Sequence, residues 1–276
     1  MPLPGSMPFP PLALALAGLP RIGPDVLRHQ LALAAQLGYR AVQLDATVAG
    51  LRARDLDRSA RRDLAALFRR SELSCTGLDL WIPAEHFTSS DQADRAVSAV
   101  SGALELAADL SRLSASAVVS TARRGDMGSV SLMLPKDLPG AIRRTLEERA
   151  TTCGVLIADH TWPSKLDVSH ESPIGIGLDP AMVLMAGEDP VKWASRLAGD
   201  KQAQRESLPR LVTARATSAS TVSRVSLGAR DSRLETLNYG VSLITGGYDQ
   251  PVVVDVRGVA DPTQAAEDAA KVWGTM

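Results

Sequence analysis

Aromatic residues are scarce in this chain: three Phe, three Tyr and four Trp make up 4% of its 276 residues. So thin a supply argues against the stacking platforms that hold single-stranded nucleic acid. An excess of either charge is also lacking. Lys and Arg number 30 against 31 Asp and Glu, a net charge of -1, so no global attraction to nucleic acid or to an anionic membrane is expected. Two cysteines, Cys75 and Cys153, allow at most one disulfide and no four-cysteine zinc site. A reducing cytoplasm is the expected setting. The apolar run at 12–19 is far too short to span a bilayer, and no Lys or Arg precedes it as a secretory signal requires. With four prolines among them, residues 1–10 are expected to be a flexible start to a single domain over 11–276. No G-x-G-x-x-G, P-loop, G-x-S-x-G elbow or H-E-x-x-H occurs.

What the chain does have is alternation. Short runs rich in Val, Ile and Leu recur at 12–19, 41–46, 75–82, 115–121, 154–160, 174–179, 211–217 and 251–256. Segments of helical period separate them. In 25–37, for example, Val26, Leu27, Leu31, Ala34 and Leu37 repeat near 3.6 residues, with Gly38 as a stop. Further helices are expected over 59–70, with Ser59 as N-cap, over 91–110, over 141–152 and from Asp261-Pro262 to about Trp273. Continuous apolar strands between helices are the mark of parallel strands buried on both faces. Eight such units fill the chain, so the expected fold is a single-domain α/β protein, a (β/α)8 TIM barrel. The stretch 122–140, after the expected fourth strand, reads as the longest irregular connection, on the side where such barrels keep their functional loops.

In this architecture the strand C-termini converge on one mouth, so the chemistry should be written there. Strand two ends at Asp45; strand three brings Asp79 and Trp81, with Glu85 and His86 in its loop. Strand five ends at Asp159, His160 and Trp162, strand six at Asp179, strand seven at Arg215 and Thr217, and strand eight at Asp255 and Arg257. Bland readings stand beside the functional ones. Asp179 before Pro180 suits a helix cap, His86 suits a solvated loop, and Asp255 with Arg257, two apart on one face, suits an internal ion pair. Arg215 is the most telling, because a cation inside a barrel needs an anion: Asp179, Asp255 or a bound phosphate or carboxylate. The two cysteines stand at strand starts and read as inert thiols.

Several stretches, in this order, resemble one family. They are Ala34-Ala35-Gln36-Leu37-Gly38-Tyr39-Arg40-Ala41-Val42-Gln43-Leu44, then Ile157-Ala158-Asp159-His160, then Gly177-Leu178-Asp179-Pro180, then Gly247-Tyr248 leading into Val252-Val253-Val254-Asp255-Val256. The chain from about Leu12 to Trp273 is similar to the xylose isomerase-like TIM barrels, the sugar phosphate isomerase/epimerase proteins, which share their fold with endonuclease IV-type enzymes. The resemblance implies a divalent metal held by Glu, Asp, His and Glu on strands five to eight. Here those positions carry Ala158, Asp179, Arg215 and Asp255. Ala158 offers no donor atom and Arg215 repels a cation, so the expectation is no metal cofactor, or at most a weakly held divalent ion at Asp179 and Asp255.

Two functions follow from the resemblance. One is an isomerase or epimerase of a small polar carbohydrate-type compound, moving a proton beside a carbonyl. His160, Asp179 and Asp255 would be its catalytic acids and bases, and Asp79, Trp81, His86, Arg215 and Arg257 would bind substrate. The other is a barrel that binds a polar metabolite or a protein partner without turnover. Neither nucleic acid nor a membrane is an expected partner.

Overall fold

Eight short strands run parallel and close on themselves. They are β1 Leu12–Ala15, β2 Ala41–Asp45, β3 Ser74–Asp79, β4 Ser129–Leu132, β5 Leu156–Asp159, β6 Ile174–Leu178, β7 Leu211–Ala216 and, after a small hairpin of β8 Ser218–Ala219 with β9 Arg224–Val225, β10 Val252–Val254. The ring closes where Leu12 and Ala13 of β1 pair with Val252 and Val253 of β10. The computed structural model describes residues 9–23, 25–115, 128–164, 168–199, 203 and 206–274. Around the barrel lie α1 Val26–Gln36, α2 Arg58–Arg70, α3 Ala93–Ala115, α4 Gly140–Cys153, α5 Pro180–Met185, α6 Pro190–Ala198, α7 Thr236–Gly246 and α8 Pro262–Gly274. This is the expected (β/α)8 barrel in one domain. Among the described residues, no helix is long and apolar enough to cross a membrane.

Local chemistry explains most element boundaries. Asp57, two residues before the expected Ser59, caps α2 by accepting from Ala60 N at 2.8 Å. Asp189 does the same for α6 from Val191 N at 2.9 Å, and Asp261 accepts from Gln264 N at 3.0 Å at the start of α8. Gly154, at φ 65°, ends α4 in the left-handed conformation that glycine adopts without strain. Cys75 lies within β3, while Cys153 ends α4 and does not begin a strand; both are free.

The fourth strand needs correction. Ala115 is the last residue of α3, 116–121 lie outside the described residues, and β4 is Ser129–Leu132, inside the stretch read as an irregular connection. The reason is physical. Alanine is the best helix former, so the Ala- and Leu-rich segment extends α3 past 110. The real strand, Ser-Val-Ser-Leu, carries serine on alternate residues, and this conceals it from a search for continuous apolar runs. At the start of the chain, Phe9 packs edge-on against Trp273 at 5.6 Å, and Pro10 O accepts from Trp273 Nε1 at 2.9 Å. Of the expected flexible start, residues 1–8 lie outside the described residues.

Strand alternation divides the interior in two. Leu14, Leu44, Leu78, Val130, Leu132, Ile157, Ile174, Ile176, Leu178 and Val254 join the large core under the helices. Burying each such side chain contributes about 1.5–3 kcal/mol. Ala13, Ala15, Ala41 and Val253 form a separate small cluster within the bore. Serines, glycines and alanines thus fill the lower bore, and the charged residues come next along the same faces.

Candidate functional site

Continuing two residues along each inward face brings β3, β6, β7 and β10 to their polar ends. Arg215, near the end of β7, lies at the centre with its side chain almost wholly buried. Its Nη1 donates to Asp255 Oδ2 at 2.7 Å and lies 3.5 Å from Asp179 Oδ2, while its Nη2 lies 3.5 Å from Asp79 Oδ1. Arg257 closes on the same acids: Nη2 donates to Asp255 Oδ2 at 2.7 Å, Nε to Asp255 Oδ1 at 3.0 Å, and Nη1 lies 3.0 Å from Asp79 Oδ2. A third guanidinium, Arg224 from β9, donates to Asp179 and reaches Asp255 Oδ2 at 3.4 Å. Three carboxyl groups thus meet three guanidiniums in one buried cluster.

Asp179 is the expected helix cap and also an anion partner of the arginines. It caps α5 by accepting from Ala181 N at 3.1 Å, and it accepts from Thr217 Oγ1 at 2.6 Å while pairing with two arginines. Burial works to raise the Asp255 carboxyl, but Arg215, Arg257 and Arg224 together hold it well below the usual carboxylate range. Asp79 goes the other way. Burial raises it, Arg215 and Arg257 oppose this only in part, and Asp255 and Asp45 push it further up. Neither of its oxygens receives an aligned hydrogen bond despite the nearby guanidiniums.

His160 lies one inward layer below Arg215, where its Nε2 is 3.1 Å from Ser131 Oγ and 3.2 Å from Thr213 Oγ1. Burial, with Arg215 and Arg257 nearby, pushes its pKa well below 6.5, so the ring is neutral at neutral pH. Its Nδ1 is buried without a partner. Gly177 makes room for this ring: a Cβ there would lie 2.4–2.5 Å from the imidazole atoms. Next to it, Asp159 accepts from Leu134 N at 3.0 Å and Thr161 N at 2.9 Å, yet burial lifts its carboxyl to about 6.

Asp79, Asp179, Arg215, Asp255 and Arg257 are therefore brought together as expected. Trp81 joins them through Arg257, whose Cζ lies 4.7 Å from the centre of its ring, and Trp81 is 52% exposed at the mouth. His86 is half-buried in the short turn Ala84–Phe87, and no hydrogen bond or ion pair links it to the cluster. Sequence reasoning missed Arg224, Ser131 and Gln43. Arg224 follows the barrel strands, in a hairpin that the apolar pattern does not reveal. Gln43 and Ser131 sit within strands, where only the inward alternation points to them. No group of three or more His, Cys, Asp or Glu among the described residues is arranged to hold a metal ion.

No family model matches this chain, and no curated protein matches it. Solved structures do. A xylose isomerase domain protein from Planctomyces limnophilus superposes with a TM-score of 0.66 at 15% identity, over 97% of this chain and 96% of that one. An L-ribulose 3-epimerase gives 0.65 at 14% identity, over 96% and 94%. A xylose isomerase-like TIM barrel protein from Mycobacterium smegmatis, in complex with magnesium, gives 0.61 at 13%, over 96% and 95%. The chain shares the (β/α)8 fold of these proteins. At such identities the likeness extends to the fold alone.

Proposed function

We propose that the mouth of this barrel binds a small, polar, carbohydrate-type compound on guanidinium groups, without a divalent metal and without the proton transfer of a sugar isomerase. The observation that carries this reading is Arg215, placed among Asp79, Asp179 and Asp255 at 2.7–3.5 Å. A divalent cation needs several oxygen or imidazole ligands and an unoccupied centre. Here the centre already holds a fixed positive charge, and Ala158 supplies no donor where the resemblance places a Glu. The residues do not fit a metal. Asp179 and Asp255 are also poor bases, because their oxygens are taken by arginines. What the mouth offers outward is donors: Arg224 and Arg257 keep 19% and 21% of their side chains exposed, beside the half-exposed Trp81 ring. Guanidiniums and an apolar ring face suit the hydroxyls and the C–H face of a sugar-like compound.

A second reading keeps the proton transfer. It is favoured by the unpartnered Nδ1 of neutral His160 and by the raised pKa of Asp79, each of which leaves a group able to exchange a proton. One experiment separates the two. The full chain is titrated calorimetrically with ketoses and their phosphates, then incubated with the same compounds in deuterated water. Binding without deuterium uptake beside the carbonyl is expected. Uptake that disappears in Asp79→Asn would establish the isomerase reading. Titration with Mn²⁺, Zn²⁺ and Mg²⁺ should give no stoichiometric site; a tight one lost in Asp179→Asn would overturn the metal-free reading.

A further inference from the structure

Away from the mouth, the N-terminal ends of the strands surround a cavity of about 560 Å³. This lies within the usual range of small-molecule sites, roughly 300–1,000 Å³. Gln43, Ser129 and Thr213 line its inner part, and Arg210, Asp249 and Gln250 are among the residues of its outer part. Val253, from the small cluster in the bore, also lines the cavity.

Gln43 gives the cavity its chemistry. The side chain is 1% exposed, and its Nε2 donates to Ser131 Oγ at 2.9 Å. Its Oε1 meets no donor. A buried amide oxygen is nearly always hydrogen-bonded in a folded protein, so a group in this cavity is the natural donor. The remaining inner polar groups are the hydroxyls of Ser129 and Thr213, which both donate and accept. At the rim, Arg210 Nε donates to His170 O at 3.0 Å, and Asp249, which accepts from Gln250 Nε2, brings one opposite charge to the same lining. A rim of balanced charge does not select an anion, and an inner wall of amide and hydroxyl groups does not select a hydrocarbon.

We infer that this cavity is a second binding site, independent of the mouth, for a small neutral polyhydroxylated compound that donates a hydroxyl to Gln43 Oε1. The test uses myo-inositol, which has six hydroxyls and no carbonyl. The full chain is titrated by calorimetry, and crystals grown without polyols are soaked in the same compound. Saturable binding is expected, with inositol density against the Gln43 amide. Gln43→Leu should weaken binding at least tenfold. So should Gln250→Trp, which narrows the rim and leaves the buried amide untouched, and which decides the matter if Gln43→Leu does not fold. Arg224→Ala at the mouth should leave the affinity unchanged. A cavity holding only water at saturating inositol, or an affinity indifferent to Gln250→Trp, would overturn the inference. So would an affinity abolished by Arg224→Ala, which would place inositol at the mouth.

Discussion

At the C-terminal end of the barrel six charged side chains meet in the mouth, while at the other end Gln43, Ser129, Thr213 and Val253 border a cavity. Both ends are inward faces of the same short strands, so the difference lies in side-chain length and charge. An arginine occupies the volume of a large core residue, but it enters a barrel only with its anions. Asp79, Asp179 and Asp255 are buried because Arg215, Arg224 and Arg257 are there, and the converse holds equally. The lower bore carries no such mutual obligation. Substitutions at the two ends should therefore differ sharply in cost.

The largest contrast should come from Arg215→Ala. It strands three buried carboxylates around an empty centre, and removing one partner of a buried ionic network costs about 3–5 kcal/mol. Urea unfolding should show a loss of this size or a failure to fold, whereas Ser129→Ala in the lower bore should cost less than about 1 kcal/mol. Comparable losses for both would erase the distinction.

Asp159 should act in the opposite sense. Its carboxyl sits at about 6 in the folded chain, against an ordinary 3.8, so the native state keeps a proton that the unfolded state releases. That charge therefore weakens the fold progressively as pH rises from about 4 to 6, by about 3 kcal/mol at full ionisation. An amide can still accept from Leu134 N and Thr161 N. Asp159→Asn should thus be more stable than the parent above pH 6, by up to this amount, and equal to it below pH 4; thermal unfolding across that range checks this. His160 runs the other way. Its folded pKa lies well below 6.5, so acid favours the unfolded state below that pH. Its ring should stay neutral by ¹⁵N NMR as the pH falls through 6.5 while the chain remains folded.

Gly177→Ala should have a smaller effect. The new methyl would meet the His160 ring at 2.4–2.5 Å, and overpacking of this kind costs about 1–3 kcal/mol. The smallest change in stability should follow Trp81→Ala, within about 0.5 kcal/mol, because the ring is half in solvent. The same variant should still weaken binding of a carbohydrate-type compound at the mouth, which ties the exposed ring to recognition and not to folding.

The barrel was legible in the sequence because its outward faces are large and apolar. Ile174, Ile176 and Leu178, or Val252 and Val254, stand out among helical segments. β4 was not legible, because half of its four residues are serines chosen for a narrow bore. The convergence of Asp79, Asp179, Arg215, Asp255 and Arg257 could be read from strand ends alone, since each lies on the inward phase of its strand. The second arginine on Asp179 could not. Arg224 is nine residues past Arg215 and reaches the cluster only because a turn folds the chain back, an event without a hydrophobic signature.

That turn has a consequence of its own. Arg224 is delivered by two strands of two residues each, which pair with one another and with none of the eight staves. The sixth charge of the mouth is thus carried outside the strand pairing of the barrel. Recharging the exposed turn residues 221–223 would retune the polarity of the opening without disturbing any strand pairing in the barrel. A lineage could change what enters such a mouth by editing one hairpin, while the frame that took 276 residues to build stayed as it was.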